Sequence, residues 1–195
     1  MSAEVVGRQA ELRVIGGFLE SIATGPRALM LDGQPGIGKT TLVQAGVAEA
    51  IERGYTVLSC RPSQSEARLS YSSISDLLAG VADSDLADLP TPQLEALEVV
   101  LLRAKPPSSR VDHRSVATAV LAVMRRLSSR RPVVMCIDDL HWLDHSSSQT
   151  IEYISRRISG PVGFLVSSRL GVKPPKMQRS GSGSPRLSSG SRLAR

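Results

Sequence analysis

The chain has 195 residues, of which 41% are hydrophobic and 22% charged, which suits one soluble globular domain with a sizeable core. It holds no apolar run near the ~18 residues of a membrane span and no basic-then-apolar signal sequence, so we expect a cytoplasmic protein that makes no membrane contact. The net charge of +6 lies in residues 171–195, which carry six basic residues and no acid. The rest of the chain is neutral and offers no basic binding face.

The first predicted elements lead to a glycine-rich stretch. Within residues 5–22 apolar side chains recur at three- and four-residue spacing, which predicts a helix. The Thr-Gly-Pro sequence at 24–26 ends this helix. The apolar run 28–31 then predicts a first strand.

A glycine-rich loop follows that strand and has the spacing G-x-x-x-x-G-K-T. A helix-compatible run at 39–52 comes directly after it, so strand, loop and helix stand in the order that a phosphate-binding P-loop needs. Lys39 is predicted to reach the β- and γ-phosphates, and the Thr40 hydroxyl to bind Mg²⁺. A chance glycine-rich turn is the alternative, and the two flanks argue against it. The predicted nucleotide-binding residues of the loop are Gly33, Gln34, Pro35, Gly36, Ile37, Gly38, Lys39, Thr40 and Thr41.

The middle of the chain predicts a parallel sheet interrupted by helices. Residues 55–60 predict a second strand, and the intervening helix makes a right-handed βαβ unit. Helical spacing at 73–81, 91–104 and 111–127 predicts a helical insertion over about 62–131. A third strand at 133–137 is continuously apolar, as expected for a strand covered on both faces.

Both cysteines, Cys60 and Cys136, fall in predicted strands and are expected to be buried thiols rather than a disulfide or a metal pair.

Two acids, Asp138 and Asp139, follow the third strand. Ligands bind at the carboxyl ends of strands in open α/β sheets, so Asp138 is predicted to hold Mg²⁺ and Asp139 to polarise an attacking water. The alternative is an ordinary turn whose acids cap the next helix. The upstream P-loop favours the nucleotide role, because Mg²⁺-assisted phosphoryl transfer needs such an acid.

The last predicted elements are a helix at 146–158 and a fourth strand at 162–166. Arg169, shortly after that strand, is predicted to sense the γ-phosphate, and a solvated arginine is the alternative. Residues 171–195 are rich in serine, glycine, proline and basic residues, and are expected to be disordered. They give no signal for a fifth strand.

Four strings together resemble a known family. The strings VVGRQAEL (5–12), GQPGIGKT (33–40), CIDDLHWLD (136–144) and LVSSR (165–169) resemble the ATPase domain of the STAND class of AAA+-like P-loop NTPases. Within that class they are most similar to the large ATP-binding LuxR-type transcriptional regulators of bacteria. The most specific piece is DDLHWLD. The resemblance covers residues 1–170 and is strongest at the four strings.

The resemblance implies roles for matching residues. Gly7 and Arg8 match a motif near the adenine and ribose, and Arg169 matches the polar or basic residue after the fourth strand. Asp138 matches the magnesium aspartate, and Asp139 the acid that activates water. The signature residues His141, Trp142 and Asp144 receive no chemical step. Packing suits Trp142, and capping of the next helix suits Asp144.

The expected fold is therefore a three-layer αβα P-loop NTPase with a parallel sheet over residues 1–170, followed by the tail. The fifth strand and the helical lid of the family are expected to be missing, which would leave an open sheet edge and favour self-association. A DNA-binding domain, which the family carries further along, is also expected to be missing.

The expected function is a Mg²⁺-dependent, ATP-hydrolysing switch domain from a signal-responsive transcriptional regulator. ATP is favoured over GTP because the chain has no asparagine and so cannot contain the guanine-reading N-K-x-D motif. The alternative is a non-catalytic fragment or interaction module with weak nucleotide turnover or none.

Overall fold

The computed structural model describes residues 7–105 and 111–169, together with the backbone of 186–188. Its centre is a five-stranded sheet in the order β2-β3-β4-β1-β5, and neighbouring strands run parallel. The strands are β1 Arg27–Gly33, β2 Thr56–Cys60, β3 Val133–Ile137, β4 Val162–Arg169 and β5 Arg186–Ser188. The helices are α1 Gln9–Ser21, α2 Lys39–Glu52, α3 Ser72–Leu78, α4 Asp83–Leu86, α5 Thr91–Val100, α6 His113–Arg130 and α7 His145–Ser155.

Two hydrophobic cores lie on the two faces of this sheet. Successive side chains of a strand point to opposite faces, and β3 shows the result. Its residues Val133, Met135 and Ile137 belong to the larger core, together with residues of helices α3, α4, α5, α6 and α7. Val134 and Cys136 belong to the smaller core, together with residues of α1 and α2. All five residues of β3 are buried. The predicted three-layer αβα arrangement with a parallel sheet is confirmed.

The helical insertion lies between β2 and β3. In the described part of that segment the structure contains α3, α4, α5 and α6. The predicted helix 91–104 ends earlier, at Val100, because Leu102 adopts a left-handed conformation (φ 57°) that an α-helix cannot contain. Among the described residues, no helix has the length and hydropathy needed to cross a bilayer.

The carboxyl ends of β1 and β4 extend further than the apolar runs predicted. β4 continues through Ser167 and Ser168 to Arg169, whose backbone lies opposite Gly33 of β1. Arg169 is therefore the last residue of the strand rather than part of the following loop. This register brings the predicted sensor arginine level with the start of the glycine-rich loop.

A fifth strand corrects the prediction that none would form. Arg186–Ser188 pairs in parallel with Met30–Asp32 and covers that part of the β1 edge, which was expected to be open. Three residues cannot display a hydrophobic period, and the strand forms where β1 offers unpaired N–H and C=O groups. The rest of the tail, with the predictions of disorder and of a missing lid, lies outside the described residues.

Candidate nucleotide-binding site

The glycine-rich loop connects β1 directly to α2. Gly36 (φ 77°) and Gly38 (φ 89°) adopt left-handed backbone conformations that side chains disfavour, which explains why glycine stands at these two positions. Gly38 is also the N-cap of α2 and has no capping side chain. The first N–H groups of a helix lack intrahelical partners and carry a positive partial charge, so they can receive an anion.

Lys39 is folded back across the loop. Its side chain is buried, and Nζ donates to the carbonyl oxygens of Gly33 at 2.9 Å and Gln34 at 3.0 Å. Both acceptors are neutral, so carbonyl dipoles rather than a carboxylate balance the buried ammonium in this arrangement. A buried charge is costly unless it is paired, and a phosphate group would supply the opposite charge that the two carbonyl oxygens lack. A buried, positively charged Lys39 without an acidic partner among the described residues is the feature expected of an anion-binding loop.

Arg8 approaches the same loop from the N-cap position of α1. Its guanidinium donates to the carbonyl oxygen of Ile37, and a Cβ added to Gly38 would lie 3.1 Å from a guanidinium nitrogen. The preceding residue, Gly7, has a left-handed backbone (φ 83°). The resemblance placed Gly7 and Arg8 near the adenine and ribose, and the structure adds that the Arg8 charge lies against the phosphate loop.

Asp138 and Asp139 lie at the carboxyl end of β3, as predicted. The buried Asp138 carboxylate accepts a 2.5 Å hydrogen bond from Ser167 Oγ, and its second oxygen is 3.5 Å from Arg61 Nε. Asp139 adopts a left-handed backbone conformation (φ 66°), and its N–H donates to Ser167 Oγ at 2.9 Å. Ser167 on β4 thus bridges both acids.

The oxygen donors in this region suit a divalent cation. The Asp138 carboxylate and the Thr40 hydroxyl are hard oxygen ligands of the kind that Mg²⁺ prefers. One residue before the ends of β1 and β4, Asp32 Oδ1 and Ser168 Oγ are buried without a hydrogen-bond partner within the described residues. Asp32 and Ser168 face each other across β1 and β4. Such atoms suit a bound water molecule, which can donate to the Asp32 oxygen.

His141 belongs to the same charged neighbourhood. Both of its ring nitrogens are buried without hydrogen-bond partners in the described part of the chain. Burial lowers the pKa of His141, Asp139 raises it, and the cations Arg169 and Lys39 lower it further. The residues predicted to be catalytic, Lys39, Asp139 and Arg169, therefore all act electrostatically on one imidazole.

Two signature residues have structural contacts that the sequence analysis left open. Trp142 lies beside His141, with ring centroids 4.9 Å apart, and the Arg169 guanidinium carbon is 5.6 Å from the centre of the Trp142 ring. Asp144 caps α7, as suggested, by accepting the Ser147 N–H at 2.9 Å. Sequence reasoning missed Arg61 and the bridging role of Ser167. Arg61 directly follows β2 and Ser167 lies near the carboxyl end of β4, where ligands bind in such sheets, and this placement could have identified both.

The family model of the AAA ATPase domain matches residues 4–166. The chain belongs to the AAA ATPase domain family. It therefore contains a nucleotide-binding ATPase module with a P-loop fold. The matched range includes the loop, both acids and most of β4. No curated protein matches the sequence closely enough to count as a relative.

Solved structures similar to this AAA ATPase domain share little sequence with it. A DNA replication initiation factor is 15% identical, with 85% of this chain and 40% of that chain covered and a TM-score of 0.43. The Aeropyrum pernix ORC1 protein in complex with DNA is 16% identical, with 84% and 39% covered and a TM-score of 0.44. A chain of the E. coli MS115-1 HORMA:CdnC:Trip13 complex is 12% identical, with 87% and 59% covered and a TM-score of 0.44. This chain thus spans less than two thirds of each of these.

Proposed function

We propose that this AAA ATPase domain binds ATP at the carboxyl ends of its strands and hydrolyses it with Mg²⁺. The observation that carries the proposal is the buried Lys39 ammonium, which carbonyl oxygens hold across a glycine-rich loop, at the edge of the sheet where Asp138 and Asp139 also end a strand. A cation, free helix N–H groups and paired acids at one edge of a sheet suit phosphoryl transfer to water.

The loop would bind the phosphates. Backbone N–H groups of the loop after Pro35, which has none itself, and of the start of α2 would donate to phosphate oxygens. Lys39 would leave its carbonyl partners for the β- and γ-phosphates. Arg8, which already contacts the loop at Ile37, would add a second cation on that side. Gly7 and Arg8 would also approach the adenine and ribose, as the family resemblance implies.

The acids and Arg169 would carry out the hydrolytic step. Thr40 and Asp138 would hold Mg²⁺, which when bound neutralises charge on the β- and γ-phosphate oxygens. Asp139 would orient a water molecule and accept its proton as the water oxygen bonds to the γ-phosphorus. The bond between that phosphorus and the bridging oxygen breaks, and ADP leaves with the electron pair. Arg169 would stabilise the charge on the transferred phosphoryl group.

The wider role that we propose is a nucleotide-dependent switch in a signal-responsive transcriptional regulator of the LuxR type. The strings VVGRQAEL at 5–12 and DDLHWLD at 138–144 support this assignment. DNA contact would then belong to another domain of such a regulator, and copies of the ATPase domain would associate with one another. In switches of this kind the nucleotide biases two conformations, so slow turnover is expected.

The decisive experiment compares Lys39→Ala with Lys105→Ala, an exposed lysine that serves as the matched control. Calorimetry with Mg·ATP should show binding to the wild type and the control. Affinity should fall at least roughly tenfold in Lys39→Ala, because a hydrogen bond to a charged group contributes about 1.5–3 kcal/mol. The rate of phosphate release should likewise be the same in the wild type and Lys105→Ala and lower in Lys39→Ala.

A second variant, Asp139→Asn, separates binding from catalysis. It should keep Mg·ATP affinity and lose phosphate release, because the amide is a poor proton acceptor. Equal phosphate release from the wild type, Lys39→Ala and Lys105→Ala would refute the ATPase proposal. Absence of both Mg·ATP binding and turnover in the wild type would favour the non-catalytic interaction module.

A further inference from the structure

Asp144, the last residue of the DDLHWLD string, is a buried carboxylate that two helices share. It is 1% exposed. One oxygen accepts the N–H groups of Tyr71 at 2.8 Å and Ser147 at 2.9 Å. The other accepts the Ser73 N–H and the Ser72 hydroxyl, both at 3.3 Å. Every partner is a donor, so both oxygens must act as acceptors.

These donors belong to elements far apart in the sequence. Ser147 lies in the first turn of α7, which follows the site acids, whereas Tyr71 to Ser73 form the start of α3, the first helix of the insertion. Ser147 strengthens the connection, since its Oγ accepts the Ile74 N–H at 3.1 Å. The charge of one carboxylate thus lies at the positive ends of two helices, which stabilises both starts.

The shared cap fixes one end of the segment that precedes α3. At its other end Arg61 Nε is 3.5 Å from Asp138, and the Asp138 N–H donates to the Cys60 carbonyl at 3.1 Å. Tyr71 is buried with a left-handed backbone (φ 65°), a conformation that costs energy outside glycine and persists where the surroundings hold it. Residues 61–71 therefore run from the carboxylate of Asp138 to that of Asp144.

We propose that Asp144 is a positioning residue of the nucleotide site, which fixes the segment 61–71 against Asp138 and couples the helical insertion to the site acids. This proposal rests on the proposed ATPase function for its kinetic consequence. Its structural consequence is independent, because the cap joins α3 to α7 whether or not nucleotide is hydrolysed. Nucleotide binding by the loop should depend little on Asp144, whereas turnover should depend on it strongly.

The test replaces Asp144 by Asn in the full chain. An asparagine caps helices well but has a single acceptor oxygen. If that oxygen keeps the Tyr71 and Ser147 N–H groups, the NH₂ group of Asp144→Asn must face the Ser73 N–H, and the start of α3 loses an acceptor. The matched control is Asp112→Asn, since exposed Asp112 caps α6 through the N–H groups of Arg114 and Ser115. Asp112 has no hydrogen bond to α3 or α7 in the described contacts.

Trp142 gives a readout that a general loss of stability does not move. It is the single tryptophan of the chain and lies two residues before Asp144. In native buffer, Asp144→Asn should change the emission maximum and acrylamide quenching of Trp142, and Asp112→Asn should match the wild type. With Mg·ATP, kcat of Asp144→Asn should fall roughly tenfold or more, while the Kd for nucleotide stays within about twofold.

Wild-type Trp142 emission together with wild-type kcat in a folded Asp144→Asn protein would overturn the proposal, and so would equal effects of Asp112→Asn. Should Asp144→Asn fail to fold, Ser147→Ala decides by the same two measurements, because it removes the Ile74 acceptor and leaves the Asp144 cap of α7. Wild-type results in that variant would overturn the proposal. If the wild type shows no turnover, the ATPase function fails, and a changed Trp142 emission still supports the shared cap.

Discussion

Gly163 in β4 lies directly beneath Phe18 of α1 and Ile22, the residue that follows that helix, and replacing Gly163 by alanine should destabilise the domain. An added Cβ would lie 2.3 Å from Ile22 Cδ1, 2.9 Å from Ile22 Cγ1 and 3.0 Å from Phe18 Cζ. Carbon atoms normally pack at roughly 3.5–4.0 Å. Ile22 is fully buried and Phe18 is 4% exposed, so neither side chain can move into solvent.

The expected cost follows from two opposing effects. Overpacking a filled core costs about 1–3 kcal/mol. Replacing glycine by alanine returns about 0.4–1 kcal/mol, because the unfolded chain loses freedom. Because the added Cβ would lie 2.3 Å from a buried atom, the overpacking cost belongs to the upper half of its range, about 2–3 kcal/mol. The net destabilisation of Gly163→Ala is therefore about 1–2.5 kcal/mol, which lowers Tm by roughly 2–10 °C in a protein of this size.

Urea and thermal unfolding followed by circular dichroism measure this cost. Gly17→Ala is the matched control, because a Cβ on this α1 residue meets nothing within 4 Å, and it should stabilise the helix by up to about 1 kcal/mol. Ile22→Val removes the atom in closest conflict, so Gly163→Ala should cost at least about 0.5 kcal/mol less in that background. An undiminished cost with Val at position 22, or an unchanged Tm in Gly163→Ala, would refute the packing argument.

Two further predictions concern ionisable groups. Burial raises the pKa of Cys136 to about 12 and that of Cys60 well above its ordinary value, so Ellman's reagent at pH 8 should label neither thiol in the native protein and both after unfolding; rapid native labelling would contradict this. Burial and nearby cations hold the pKa of His141 below 6.5, so its NMR titration should have a midpoint below that value. The unfolded state then binds a proton first, and stability should fall as pH drops below 6.5, less steeply in His141→Gln.

Local patterns predicted the elements that their own residues determine. The strand before the loop, the loop itself and the apolar run of β3 each have a signature within about ten residues, and the structure places them as expected. The residues of β3 were predicted without error at 133–137, because a strand buried on both faces must be apolar throughout. Asp138 and Asp139 followed from that assignment.

The features that sequence reasoning missed depend on partners distant in the chain. β5 is only three residues long and is defined by its pairing with Met30–Asp32. The bridge from Ser167 to both acids requires the register of β3 against β4. The early end of α5 depends on one backbone dihedral, that of Leu102, in a residue whose type favours helix. No periodicity in the sequence records any of these.

The division of the interior into two cores has a consequence for substitutions in the sheet. Along β1, Met30 belongs to the larger core, and Leu29 and Leu31 belong to the smaller one. Alternate residues of this strand thus pack against different sets of helices, one set on each face of the sheet. A substitution at Met30 therefore changes packing against the helical insertion, whereas a substitution at Leu29 or Leu31 changes packing against the helices beside the phosphate loop. The sheet separates the effects of the two.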